Sequence, residues 1–159
     1  MRIDELRQRV EEELKDLGAE IKAEEPNVIN IVVQRDNVIE TAKRLSSIGF
    51  DHVKAVTAVD RGKEFEVIYI VSSYSEDASY YLVKLKIFLP YDDPRTPSLV
   101  GIWPSALYQE HEEHEMMGIH FEGHPRMGRK LLLPESYEGI PPLRKEFKIK
   151  TEGIDYERA

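Results

Sequence analysis

The sequence predicts an α+β fold: a two-layer sandwich with helices on one face of an antiparallel or mixed sheet, followed by an extended, irregular C-terminal tail. Three observations predict it. Two stretches near the N-terminus carry apolar residues at helical spacing, and the middle of the chain alternates with the two-residue period of strands. Beyond residue 118, glycine and proline recur too often for long regular elements.

Ile3, Leu6, Val10, Leu14 and Leu17 recur at steps of three and four, with Asp4 placed to cap the start and Gly18 to stop the end. After Pro26, the β-rich run Val28 to Val33 reads as a strand. Asp36 is placed to cap a second helix carrying Val38, Ile39, Ala42, Leu45 and Ile48, ended by Gly49. His52 to Val59, Phe65 to Val71 and Tyr80 to Leu89 read as three strands of an antiparallel meander, the first two joined by the turn Asp60-Arg61-Gly62-Lys63. Val100 to Trp103 reads as a last short strand. Pro104 is suited to the first turn of a helix that runs to about Met117 and stops at Gly118. The expected division is a domain of residues 1–118 and a tail of residues 119–159. The tail carries Phe121, Leu131, Leu132, Leu133, Tyr137, Leu143 and Phe147 as apolar anchors.

The chain has 159 residues, is 33% charged and has a net charge of −8, so nucleic acid and anionic lipid are poor partners. Its positive charge gathers in the last third, at Arg126, Arg129, Lys130, Arg144, Lys145, Lys148 and Lys150. It contains no cysteine, which excludes disulfides, thiolate nucleophiles and thiolate-held iron–sulfur clusters. The first residues lack the apolar stretch of a signal peptide, and no window is long and apolar enough to span a bilayer, so any membrane association is expected to run through other subunits.

The run Glu110-His111-Glu112-Glu113-His114-Glu115 attracts attention, because His111 and His114 share a helical face. The zinc-protease pattern H-E-x-x-H fails at Glu115, and a charged helix face near an interface is the simpler reading; a stand-alone metalloenzyme built on these histidines is the remote alternative. His120 and His124, separated by Gly123, read as loop histidines bonded to backbone. No G-x-S-x-G elbow and no phosphate-binding glycine loop is present.

From Asp60 to Lys148 the sequence resembles the thirty-kilodalton, C-type subunit family of respiratory complex I (NADH:quinone oxidoreductase), which also occurs in membrane-bound [NiFe] hydrogenases. The resemblance rests on Glu110 to Ile119 against the family's E-R-E-x-x-D-M-F-G-I, on Phe121-Glu122-Gly123-His124-Pro125, on Leu131-Leu132-Leu133-Pro134, and on Pro142-Leu143-Arg144-Lys145-Glu146-Phe147. Val56-Thr57-Ala58-Val59-Asp60, Asp93 to Ser98 and Trp103-Pro104 are similar too. His111 and His114 depart from the family's arginine and aromatic residue, which favours the hydrogenase-like or ferredoxin-linked branch over the NADH-linked one.

The resemblance implies a subunit without a catalytic centre, in the peripheral arm of an energy-converting membrane oxidoreductase on the cytoplasmic side. It implies no cofactor in this chain; iron–sulfur clusters and a NiFe centre belong to partner subunits. The implied partners are the hydrogenase-like large subunit and adjacent iron–sulfur subunits. The motif residues expected at that interface are Glu110, Glu112, Gly118, Phe121, Gly123, His124, Pro125, Leu133, Pro134, Pro142, Leu143, Arg144, Lys145 and Phe147, with Arg144 pairing to a partner carboxylate.

Overall fold

A computed structural model describes residues 1–133, 137 and 139–148. Helix α1 (Ile3–Leu14) buries Ile3, Leu6, Val10 and Leu14, the positions its spacing selects. It starts earlier than expected, with the Glu5 carboxylate accepting the Arg2 N–H, so Asp4 lies in its first turn instead of capping it. It also ends earlier, because Leu17 N donates to the Leu14 carbonyl and Gly18, at φ +64°, turns the chain away. Helix α2 (Val38–Ser47) follows a single 3₁₀ turn that contains Asp36.

The main sheet has the order β1-β2-β5-β4-β3, formed by Glu20–Glu24, Val28–Val32, Leu82–Pro90, Glu64–Ser72 and His52–Asp60. β2 and β5 pair in parallel and the other neighbours are antiparallel, so the expected meander of β3, β4 and β5 is extended by a parallel crossover. One row of side chains crosses all five strands in register: Ile21, Ile31, Leu85, Tyr69 and Val56. This face carries the core, with Val53, Phe65, Val67, Val71, Val83, Ile87 and Leu89 buried beside that row. The helices cover it, giving two layers. Strand β1 escaped the sequence reading because only Ile21 and Ala23 face inward; its exposed Glu20, Lys22 and Glu24 suit a sheet edge. At the opposite edge, side chains occupy the backbone groups of β3: Ser105 accepts Val53 N and donates to its carbonyl, and Gln109 accepts Val56 N.

Two expectations are corrected. Val100 to Trp103 is a tight turn, not a strand; Ile102 N and Trp103 N both donate to the Leu99 carbonyl. The apolar run reflects burial: Leu99 and Trp103 are in the core, and the indole N–H reaches the Phe50 carbonyl at 2.9 Å. The segment expected to be irregular from residue 119 opens with a short strand. Helix α3 (Leu107–Met117) ends at Gly118, and the chain then forms β7 (His120–Glu122), parallel to β6 (Arg95–Pro97). Ile119 and Phe121 are fully buried, so the packed body runs past residue 118 to His124.

Candidate functional site: the helix that organises the C-terminal segment

Helix α3 is polar on nearly every side, and its polar side chains make the connections that shape the rest of the chain. Glu110 is fully buried beneath it. Its carboxylate accepts three hydrogen bonds: Tyr69 Oη at 2.7 Å, Ser98 Oγ at 2.6 Å and Leu99 N at 2.8 Å. Tyr69 reaches it because it sits mid-row on the core face. Burial raises the Glu110 carboxyl above its ordinary value, against the pull of these three donors. Burial and the neighbouring Glu110 push the Tyr69 phenol well up, so it remains a donor.

The same helix fastens the irregular segment that follows. The Glu115 carboxylate accepts the N–H groups of Leu131 and Leu132 at 2.7 Å and of Leu133 at 3.3 Å. Burial opposes its ionisation, but the three amides outweigh it and hold the carboxyl below its usual value. His111, fully buried, bonds through Nε2 to the Arg129 carbonyl. His124 accepts Arg126 N at Nδ1 and donates from Nε2 to the Leu107 carbonyl, which ties the loop after β7 to the start of α3. His114 Nδ1 meets the Ile119 carbonyl at 2.8 Å, and burial lowers its affinity for a proton.

Beyond Tyr137, the residues of the Pro-Leu-Arg-Lys motif are held by their neighbours in the fold. Leu143 N donates to the Met116 carbonyl at 2.9 Å. The Arg144 guanidinium bonds the Met117 carbonyl at 2.6 Å and the Gly118 carbonyl at 3.4 Å, the free carbonyls at the α3 C-terminus. It lies 5.0 Å from the Phe65 ring and 5.4 Å from that of Tyr91, two rings stacked at 4.7 Å. Lys145 N donates to Asp60 Oδ2 at 2.9 Å. Asp60 also accepts Gly62 N and faces Phe65 across the β3–β4 ladder, so one hairpin end supplies both the aromatic seat and the anchoring carboxylate. Between these fixed points Leu143 points outward, 63% exposed, with Ile140 (47%) and Leu132 (58%) also at the surface.

The expected interface residues therefore divide. Glu110, Phe121 and His124 are buried inside this chain. The Arg144 guanidinium bonds the chain's own carbonyls and lies 3.4 Å from Glu146. Gly118 sits under that guanidinium. Glu112, Gly123, Pro125, Leu143 and Lys145 are exposed, and Leu133, Pro142 and Phe147 are half-buried. Pro134 lies outside the described residues. The His111 ring lies 5.7 Å from that of His124, and the His114 ring 6.2 Å from that of His120. Among the described residues no group of three or more His, Cys, Asp or Glu side chains is placed to hold a metal ion. Sequence reading missed Asp60, Tyr69, Ser98 and Glu115 as parts of one assembly, because their partners lie far away along the chain.

A model of the family described as "Respiratory-chain NADH dehydrogenase, 30 Kd subunit" matches residues 31–153. The chain belongs to this family. It is 33% identical over 146 residues to the C-type subunit of the NADH-quinone oxidoreductase of Moorella thermoacetica, covering 89% of this chain and 95% of that one. It is 31% identical over 153 residues to "NADH-quinone oxidoreductase subunit 5" of Thermus thermophilus, covering 89% and 72% respectively. Among solved structures, the fold matches a chain of the membrane-bound sulfane sulfur reductase, an archaeal respiratory membrane complex. That match has a TM-score of 0.82 and 26% identity, over 92% of this chain and 85% of the other. The trypsin-resistant fragment (1–134) of Nqo5 matches with a TM-score of 0.66 and 28% identity, over 74% and 96%. As a 30 kDa-family member, the chain has its α+β body in common with these structures.

One α3 residue of this family member reports on pH. Burial pushes the Glu113 carboxyl up to about 7; the nearby Glu112 charge adds to this and the Ala58 amide opposes it. A raised folded-state value favours the protonated form in the folded chain. The stabilisation is therefore complete below the unfolded carboxyl value, about 4.3, and is lost as pH rises through about 7. The full shift corresponds to about 3 kcal/mol, which partial exposure reduces to about 1–2 kcal/mol. Glu113→Gln is expected to gain that much relative to wild type between about pH 5 and about pH 8 in urea unfolding. Parallel pH profiles for the two chains would assign the effect elsewhere.

Proposed function

We propose that this chain is a non-catalytic assembly subunit of the peripheral arm of an energy-converting, membrane-bound respiratory oxidoreductase. It packs on the hydrogenase-like large subunit, on the cytoplasmic side, and reaches the membrane only through its partners. Among the described residues no helix is long and apolar enough to cross a membrane. Electron carriers, iron–sulfur clusters and in a hydrogenase-type complex a NiFe centre, reside in partner subunits; this chain has no cysteine to hold a cluster through thiolates.

The observation that carries the reading is Leu143. Its neighbours in sequence are pinned on Met117, Gly118 and Asp60, yet it is 63% exposed. A large apolar side chain held outward on a fixed backbone is preorganised for a partner's pocket, because its ordering is already complete before association. Fully buried, a leucine contributes about 1.5–3 kcal/mol, or about one to two orders of magnitude in affinity. Tagged wild-type chain is expected to recover the large subunit from solubilised native membranes, and Leu143→Ala to reduce that recovery about tenfold or more without changing the melting temperature of the free chain. Wild type emerging alone would end the proposal. Arg144 is left intact in this test, because its loss would disturb the chain itself.

Two branches of the family are compatible. The TM-score of 0.82 to a chain of the sulfane sulfur reductase complex favours a hydrogenase-type or ferredoxin-linked assembly. The 33% identity to the Moorella NADH-quinone oxidoreductase protein, over 95% of its length, favours the NADH-linked one. The electron donor oxidised by the recovered complex separates them.

A further inference from the structure

A ladder of helix side chains closes the sheet at β3. Ser105, Gln109 and Glu113 stand four residues apart along the 3₁₀ turn Pro104–Ala106 and α3. Ser105 Oγ accepts Val53 N at 2.8 Å and donates to the Val53 carbonyl at 3.1 Å. Gln109 Oε1 accepts Val56 N at 2.7 Å, and its Nε2 donates to the Lys54 carbonyl at 3.3 Å. The Glu113 carboxyl takes the Ala58 amide. Four helical residues rise about 6 Å and two strand residues about 7 Å, so one helix can meet successive outward amides of a strand. From Val53 to Val56 the step is three residues, and a β-bulge absorbs the extra one. Lys54 has no partner in β4, and its carbonyl is the one that Gln109 reaches.

A helix that fills these groups ends the sheet, because it offers no backbone edge to a further strand. The opposite edge is guarded by charge instead: β1 presents Glu20, Lys22 and Glu24 to solvent. β3 runs nine residues, and Val53, Val56, Thr57 and Val59 are β-branched. Uncovered, an edge of that length and composition is a template for another strand. We infer that the Ser105–Gln109–Glu113 ladder is a lock on strand addition, and that an unlocked β3 takes the β3 of a second copy of this chain. Two identical edges meet antiparallel about a two-fold axis, which closes a dimer. The lock acts in the free chain, before any large subunit is met, and does not depend on the docking reading.

The test follows the full chain by light scattering and amide hydrogen exchange between about 10 µM and about 1 mM. Wild type is expected to remain a monomer. Ser105→Ala combined with Gln109→Leu is expected to dimerise in that range, and exchange of its Val56 amide to slow at least about fivefold as the dimer forms, because the second copy's strand takes that donor. A double variant that stays monomeric overturns the inference. So does a dimer whose Val56 exchange is independent of concentration, since its contact lies elsewhere, and so does wild type that already pairs through β3. Ala42→Gly, in α2, weakens the fold without touching the ladder and is expected to stay monomeric; association equal to that of the double variant would assign the effect to lost stability and overturn the lock. Should the double variant fail to fold, Gln109→Leu alone is measured in its place, with the same outcomes deciding.

Discussion

Glu110→Ala is expected to lower the stability of the free chain by about 3–5 kcal/mol, more than any other substitution proposed for this fold. One carboxylate satisfies Tyr69 Oη, Ser98 Oγ and Leu99 N in a site without solvent. Its removal leaves three donors unpaired, each worth about 1–3 kcal/mol when buried and unmet, and opens a cavity. Local repacking and shared water prevent a simple sum, which sets the range. Tyr69→Phe removes one donor and leaves two, so its loss is expected near 1 kcal/mol. Glu110→Gln falls between them, because its amide oxygen still accepts while its amide N–H groups need the Ser98 hydroxyl to turn and accept. Trp103, buried with its ring 6.5 Å from that of Tyr69, makes indole fluorescence a direct reporter during urea unfolding. A loss below about 1 kcal/mol for Glu110→Ala would show that the three donors find other partners, and the central role given to this carboxylate would be wrong.

What the sequence made legible follows from the range over which each signal acts. α1, α2 and the strands β2, β3, β4 and β5 carry enough apolar residues at period 3.6, period 2 or in a continuous run to be expected close to where they lie, and α3 was expected from Pro104 and Gly118 at its ends. Strands β6 and β7 have three residues each, too few to show a period. Val100 to Trp103 has the composition of a strand, yet its apolar residues serve a turn that plugs the core. The acidic, histidine-rich run stands out in the sequence, but the different surroundings of its carboxylates do not. On the sequence, Glu110 and Glu115 differ in nothing; in the fold one is buried under Tyr69 and the other holds the Leu131–Leu133 backbone. The contacts that distinguish them span 41 residues for Tyr69–Glu110 and 16 to 18 for Glu115 with Leu131–Leu133, and no local pattern encodes such separations. The family motifs thus mark residues that hold the chain's own C-terminal segment in place, with Leu143 as the side chain that this arrangement displays.

A double-mutant cycle at Gly118 and Arg144 tests that arrangement. Gly118 closes α3 at φ +72°, where a Cβ would lie 2.7 Å from Arg144 Nη2 and 3.2 Å from Pro141 Cγ. Gly118→Ala therefore carries a backbone penalty of about 1–2 kcal/mol and also displaces the guanidinium from two carbonyls and two aromatic rings. Arg144→Ala removes those contacts directly, at about 1–3 kcal/mol for charge-assisted bonds and the cation–π seat. Gly118→Ala alone is expected to lose about 2–4 kcal/mol, and only about 1–2 kcal/mol when Arg144 is already alanine, a coupling of at least about 1 kcal/mol. Additivity within about 0.5 kcal/mol would mean that the glycine is needed for its backbone alone. Arg144→Lys is expected to recover little, because an ammonium cannot span both carbonyls while lying flat over Phe65 and Tyr91. The cycle also separates holding from docking. Arg144→Ala should weaken recovery of the large subunit although Leu143 is untouched, because an unfastened Leu143 must be ordered during association. A variant that keeps full assembly after losing Arg144 would show that the fastening contributes to the fold and nothing to the interface.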